Sequence, residues 1–273
     1  MENLAEGLQS AIDYIEAHML EPLDIQRIAA QAYLSPFYFQ RVFGALCGVT
    51  VGEYIRQRRL TLAAQELTKP ESRILDMALK YGYDSPDSFA RAFRRFHGVL
   101  PSQARLSGAR LRSYLPLHIK LTMEGGYTMD YRIEEKDQFT VMGVSRTFNS
   151  ETSYQEIPRF WQEWLAQGET RPVMGTYGVC IDMDGKDFDY YIADDYCPWR
   201  PLPRGCGTRV IPGGAWAVFP TTIATLQDTN TKIWSEWLPG SSEYRLAGNY
   251  NIEFYSDDLN YAEIWIPVVR KER

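Results

Sequence analysis

Apolar positions in the first part of the chain fall in helical register, and they do so twice. In "SPFYFQRVFGALCG", Ser35 to Gly48, Phe39 and Phe43 stand four apart, and in "SPDSFARAFRRFHG", Ser85 to Gly98, Phe89 and Phe93 repeat that spacing. The spacing puts each pair on one buried helical face, so the opposite face, with Gln40, Arg41, Arg91, Arg94 and Arg95, is expected to look outward. Each segment opens on a Ser suited to capping, followed by a Pro whose missing N–H costs nothing in the first turn, and each closes on a Gly. Shorter apolar-periodic segments precede both, "LDIQRIAAQAYL" and "SRILDMALKYGYD", with Ala29 and Ala78 in matching places. A short helix, a tight turn and a second helix with a polar face make a helix-turn-helix unit. Between the two units, "VGEYIRQRRLTLAAQELT" predicts one amphipathic helix from Gly52 to Leu67, about 24 Å long. Its Arg56, Arg58 and Arg59 are expected to meet solvent or pair with Glu53. Such a rod can hold two reading helices on one side of a duplex, about 34 Å apart, so one copy of the chain suffices on an asymmetric site.

From Tyr127 onward the pattern changes to strands, among them "YRIEEKDQFTVMGVSRTF", "GTYGVCIDM", "FDYYIA", "AWAVFPTT", "YNIEFYS" and "YAEIWIPVV". Two helical stretches interrupt them and match each other, "FWQEWL" ending at Leu165 and "IWSEWL" ending at Leu238, an offset of 73. The same offset lays Tyr177 on Tyr250, Val179 on Ile252, Asp184 on Asp257, Phe188 on Tyr261 and Tyr191 on Ile264 without a gap. This half is therefore two copies of a strand-helix-strand-strand unit, predicting one sheet with a helix pair on a face and a trough at the pseudo-two-fold axis. The fold class is multidomain, an all-α double helix-turn-helix part followed by an α+β part. The domains are 1–112, a linker 113–126 and 127–273.

The duplication also shows which residues the repeat does not require. Glu253 has Cys180 as its counterpart and Glu263 has Tyr190, so neither carboxylate is demanded by the unit. Alternation puts Asn251, Glu253 and Tyr255 on one face of their strand, and Tyr261, Glu263 and Trp265 together on one face of the next. A carboxylate among aromatic rings is costly to bury without a positive partner, and an organic cation held also by ring faces would be one. Glu253, Tyr255 and Glu263 are thus the candidate ligand residues, with Trp216, Tyr177 and Trp199, which fall on loops or strand edges. Trp161, Trp164, Trp234 and Trp237 are expected to pack helix on sheet.

Composition sharpens the division. Residues 1–112 carry 14 Lys and Arg against 12 Asp and Glu, net +2, whereas residues 113–273 carry 15 against 23, net −8. All 7 Trp also lie in the acidic part. No apolar run is long enough to span a membrane and the N-terminus has no export signal, which makes the cytoplasm the expected location. Cys47, Cys180, Cys197 and Cys206 lack metal or disulfide spacing, and His18, His97 and His118 are scattered, so neither metal nor cofactor is expected.

The stretch "ILDMALKYGYDSPDSFARAFRRFHGVLPSQAR", with "LSPFYFQRVF" upstream, resembles the DNA-binding domain of the AraC/XylS family of transcription factors. The resemblance implies double-stranded promoter DNA as partner and gives Phe37, Tyr38, Gln40 and Arg41 the base-edge positions of the first reading helix. Gln40 suits adenine and Arg41 guanine. In the second helix Asp87, Ala90 and Arg91 fill the reading positions, departing from the amides and hydroxyls usual in the family. Arg94 and Arg95 stand as candidate phosphate contacts. "NIEFYSDDLNYAEIWIPVV" resembles the end of GyrI-like effector-binding domains, whose "E-x-Y" glutamate, here Glu253 beside Tyr255, is implicated in binding cationic ligands. Together these imply a multidrug-sensing type of regulator, an activator contacting RNA polymerase, with an amphipathic or cationic effector and no enzymatic role. Two alternatives stay open for the second half: a small hydrolase with Glu253 as general base, and a protein-sequestering module.

Overall fold

The computed structural model describes residues 2–67, 72–106, 109–119, 128–182 and 185–271. Asp184 of the repeat alignment and residues 120–127, which include the end of the expected linker, lie outside them. The helices of the first part are α1 (Glu2–Ala17), α2 (Ile25–Gln31), α3 (Pro36–Cys47), α4 (Val51–Leu67), α5 (Ile74–Lys80), α6 (Pro86–His97) and α7 (Pro101–Ala104). Contacts divide the chain into two units, Glu2–Leu34 with Val49–Leu121 and Ser35–Gly48 with Thr122–Arg273. Helix α3 is thus grouped with the second half.

The twin helices are built as their sequences predict. Ser35 Oγ accepts from the Tyr38 N–H at 3.3 Å and Ser85 Oγ from the Ser88 N–H at 3.2 Å. Gly48 and Gly98 end them at φ 68° and 81°, in the left-handed region where a side chain would be strained. In the helical unit, Leu60, Ala63, Ala64 and Leu67 of α4 pack with Met77 and Ala78 of α5 and Phe89 and Phe93 of α6.

Helix α4 departs from the expected one-sided rod. A second buried row, Tyr54, Arg58 and Thr61, runs along it. Arg58, expected on solvent or with Glu53, is 6% exposed and makes a two-pronged pair with Glu16, Nε to Oε1 at 2.8 Å and Nη2 to Oε2 at 2.7 Å. Arg59 donates to the carbonyls of Met19 and Glu21. The spacing of charges along α4 could not reveal this, because the partner lies on α1. Residues 112–119 run extended against the same row: Tyr114 N–H donates to Thr61 Oγ1, Leu117 N–H to the Tyr54 hydroxyl, and Arg58 Nη1 to the Tyr114 carbonyl. Arg112 N–H donates to Nδ1 of buried His97, whose Nε2 meets the Leu60 carbonyl, an arrangement that fits only the neutral ring.

The second half contains β1 (Arg132–Lys136), β2 (Phe139–Asn149), α8 (Ser153–Leu165), β3 (Tyr177–Asp182), β4 (Asp187–Asp195), β5 (Gly207–Ile211) and β6 (Gly214–Thr221). It continues with α9 (Leu226–Lys232), a π-helical turn Ile233–Trp237, α10 (Leu238–Gly240), β7 (Tyr244–Leu246), β8 (Tyr250–Tyr255) and β9 (Ala262–Arg270). The strands form one antiparallel sheet in the order β1-β6-β9-β8-β3-β4-β2-β5, with β7 on the outer end of β9. Each copy of the repeat has a leading strand in addition to the strand-helix-strand-strand unit. That strand crosses over, β1 pairing with β6 and β5 with β2, so each copy completes the other's edge. At the centre β3 pairs with β8 and Val179 faces Ile252, its own repeat counterpart. The pseudo-two-fold axis passes through that pair.

The two faces of the sheet are covered differently. On one, α8 and the α9 region supply Phe160, Trp164, Ile233 and Trp234 to a core with Cys180, Tyr190, Phe219 and Ile264. On the other, every member of the core comes from a strand, including Tyr177, Val179, Trp216, Ile252 and Trp265. No helix among the described residues is long and apolar enough to cross a membrane.

Two outcomes follow for the helical unit. Removing one partner of a buried ion pair strands the other, so Arg58→Ala should cost about 3–5 kcal/mol in urea unfolding followed by helical circular dichroism. Burial, offset in part by the Leu60 carbonyl, holds His97 below the ordinary imidazole value of 6.5. The unfolded chain therefore takes up that proton first, and the stability His97 contributes is whole above 6.5 and lost as pH falls toward the depressed value. Thermal unfolding should show a midpoint that drops on acidification from about pH 7 to about pH 5, and His97→Gln should lessen the drop.

Candidate functional site

Cross-strand register decides which candidate residues can meet. Glu253 stands across from Gly178 on β3 and Ile264 on β9, all on the helix-covered face. Glu263 stands across from Phe254, on the opposite face. Alternation holds within each strand, but it does not set how two strands are offset, and one residue of register puts the two carboxylates on opposite faces instead of in one shared trough.

Around Glu253 the helix-covered face carries a connected polar group. The hydroxyls of Tyr190 and Tyr255 donate to Glu253 Oε2 at 2.8 and 2.9 Å. Trp161 Nε1 donates to the Tyr190 oxygen at 2.9 Å, and its ring meets that of Tyr255 at 5.2 Å. Burial first, and then the Glu253 charge, push both tyrosines well above the ordinary phenol range, so they remain donors. Both reach the same oxygen, and no described residue donates to Oε1 or forms an ion pair with this half-buried carboxylate. Gly178 makes room for the cluster, since a Cβ there would fall on the Tyr190 hydroxyl and Glu253 Oε2. Trp164 Nε1, in the same core, is buried without a hydrogen-bond partner.

The opposite face is already satisfied. Glu263, 5% exposed, accepts from Arg132 Nη2 at 2.7 Å, from the Tyr261 hydroxyl at 2.6 Å and from Trp265 Nε1 at 2.6 Å. Burial raises its pKa, but these three donors and the Arg132 charge outweigh burial and hold it below the usual range. Lys136 Nζ lies 4.0 Å from the Trp265 ring centre. Trp216 is 1% exposed among Tyr250 and Trp265, and Tyr177 is buried against Phe254 and Trp265. Trp199, at 81% exposure, stands on a loop. Of the six expected ligand residues, Glu253 and Tyr255 come together. Tyr190 and Trp161 join them, and in the sequence Tyr190 is marked only as the counterpart of Glu263.

The twin helices present their polar faces differently. On α6, Asp87, Arg91, Arg94 and Arg95 are exposed and Ala90 half-exposed, with no ion pair to any described residue. On α3 the face expected to look outward lies against the helix-covered side of the sheet. Phe37 is 4% exposed in the core of that side, its ring edge-on to Trp234 at 5.7 Å, and Tyr38 meets the same indole at 6.0 Å. Arg41 Nη2 donates to Cys180 Sγ at 3.1 Å and Asn251 Oδ1 at 3.4 Å. Gln40 Nε2 donates to the Gly185 carbonyl, and Ser35 Oγ to Asn249 Oδ1 at 3.2 Å. Burial raises the Cys180 thiol to about 11 despite the Arg41 charge, so its sulfur stays a neutral acceptor. A polar helical face is compatible with any hydrogen-bonding surface, and periodicity alone could not distinguish base edges from a sheet floor.

Two known families match the chain in succession. Residues 28–107 match a helix-turn-helix domain family, and residues 132–268 match the family described as integron-associated effector binding protein. The regulatory protein SoxS of Salmonella typhimurium is 44% identical over 98 residues, which is 36% of this chain and 92% of SoxS. The chain belongs to the AraC/XylS family of transcription regulators. The right origin-binding protein of Escherichia coli K12 is 28% identical over 189 residues, covering 67% of this chain and 64% of that protein. An integron cassette protein of Vibrio cholerae superposes with a TM-score of 0.42 at 18% identity, covering 51% of this chain and 95% of its own. On the two family matches and the sequence relatives, this AraC/XylS member is a DNA-binding regulator that carries a GyrI-like effector-binding domain behind its helix-turn-helix units.

The crowding at Gly178 has a direct consequence. Gly178→Ala should displace the Tyr190–Glu253 pair and cost about 1–3 kcal/mol, typical of overpacking, with a shifted emission from Trp161. Thermal denaturation and intrinsic fluorescence of the variant check both.

Proposed function

We propose that this regulator activates transcription from promoter DNA, which it grips as a single copy through α3 and α6, and that it senses an amphipathic cation bound at Glu253. The observation that carries the effector reading is a half-buried carboxylate with two tyrosine donors on one oxygen and no ion pair to any described residue. Burying such a charge is unfavourable unless a positive group meets it, and the rings of Trp161 and Tyr255 beside it favour a cation with an apolar body. Single-copy binding is supported by two helices of the same length and capping in one chain. Contact with RNA polymerase, and the absence of any turnover of the effector, belong to this proposal on the strength of the family.

Titration of the full chain with benzyltriphenylphosphonium, followed by tryptophan fluorescence, tests the sensing half. Glu253→Gln should weaken binding by roughly tenfold or more, the scale of one lost charge-assisted contact, and neutral triphenylphosphine oxide should not compete. Affinity unchanged in Glu253→Gln would remove that carboxylate from the site. For the reading half, gel shifts of the full chain on a selected promoter fragment should weaken with salt, and Arg91→Ala should reduce the salt slope by about one phosphate contact if it anchors the backbone.

A further inference from the structure

One helix of the chain itself, α3, packs on the helix-covered face of the sheet that carries Glu253. Phe37 and Tyr38 meet Trp234, and the Arg41 guanidinium lies 5.3 Å from the Phe37 ring and 5.9 Å from the Trp234 ring while donating to Cys180 and Asn251. A cation framed by aromatic rings is the ligand class argued for Glu253, and Asn251 is two residues from Glu253 on the same face of β8, about 7 Å along the strand.

The twin helices show that this docking is specific to α3. Aligned Ser on Ser, Phe37 and Tyr38 take the places of Asp87 and Ser88 on α6, and Gly44 and Ala45 take those of Arg94 and Arg95. Aromatic and small residues stand on α3 where α6 has charged and polar ones, and Tyr38 and Ala45 pack with Phe37 against the core of the effector-binding domain. Phe37, Tyr38, Gln40 and Arg41 are also the residues assigned to base edges. Side chains packed on and hydrogen-bonded to the sheet side are not available to a major groove, so the two engagements exclude each other.

We infer that α3 is an internal competitor for the effector trough: docked, it withholds the first reading helix and leaves only α6 open, and a cation arriving at Glu253 displaces Arg41 and frees α3 for DNA. Effector and DNA then bind cooperatively, each favouring the undocked state, by an equal factor in both directions. The inference rests on the reading of Glu253 as a cation site and of α3 as a DNA reader.

The test measures operator affinity of the full chain, on a fragment selected with that chain, with and without benzyltriphenylphosphonium. The cation should tighten operator binding by the wild-type chain, a comparison that needs no variant. Without the cation, Asn251→Ala removes an acceptor from Arg41 and should tighten operator binding roughly three- to tenfold, whereas Asn251→Asp offers a carboxylate and should weaken it. Opposite signs from one position would not arise from misfolding. Operator affinity unmoved by the cation and by both variants overturns the inference; if Glu253→Gln still abolishes cation binding, the site reading survives alone. Opposed effects of the Asn251 variants, with cation binding indifferent to Glu253→Gln, would uphold the internal competition and overturn the site reading instead.

Discussion

The pairing of β3 with β8 is the constraint that sets which residues share a face with Glu253. With Val179 across from Ile252, the two repeats meet through equivalent residues, and Gly178 with Glu253 and Cys180 with Asn251 fall on the face between the helices. A slip of one residue would turn this whole set to the other side of the sheet. The crossed edge strands, β1 on β6 and β5 on β2, hold that register from both flanks, because neither repeat can shift without breaking a pairing that belongs to the other.

On this symmetric frame the chemistry is asymmetric. Glu253 occupies the place that Cys180 has in the first copy, and the equivalent tryptophans divide the trough between them. Trp161 serves the Glu253 group, through Tyr190 and Tyr255, while Trp234 faces Phe37, Tyr38 and Arg41. The helix bearing Trp234 is also the one that widens into a π-turn, at Ile233–Trp237, where the first copy stays α-helical. Such turns recur at functional sites because they re-aim a side chain without ending the helix.

Much of this was legible in the sequence where the cause is local. Ser-Pro starts, Gly stops and i, i+4 phenylalanines fix α3 and α6, and the 73-residue offset carries both helices and the central strands of the repeat. What stayed hidden depends on partners distant in the chain. Arg58 looked like a solvent residue because Glu16 is 42 residues away, and Glu263 looked like a ligand residue because nothing in its own strand reveals Arg132. The docking of α3 left a trace that a periodicity count passes over, the Phe-Tyr pair at positions where its twin carries Asp and Ser. Both spellings satisfy a helix with one buried face, and only the comparison between twins shows that the second face of α3 is also suited to burial.

The strength of the α3 contact matters as much as its presence. Its polar part is four hydrogen bonds, Arg41 to Cys180 and Asn251, Gln40 to the Gly185 carbonyl and Ser35 to Asn249, and burial of the Phe37 ring adds on the order of 1.5–3 kcal/mol. A second cation at Glu253, about 7 Å from the acceptor that Arg41 uses, would repel the guanidinium by about 2 kcal/mol at an effective dielectric near 20. That repulsion is comparable to the part of the contact that the Phe37 ring supplies. A contact several times stronger would need a ligand with more than about 5.5 kcal/mol of preference to turn a 1:99 population around, and a much weaker one would leave nothing to regulate. An arginine held by neutral acceptors, one strand step from an unpaired carboxylate, is well suited to such a balance: Asn251 and Cys180 hold Arg41 without neutralising it, so its charge still opposes the arriving cation.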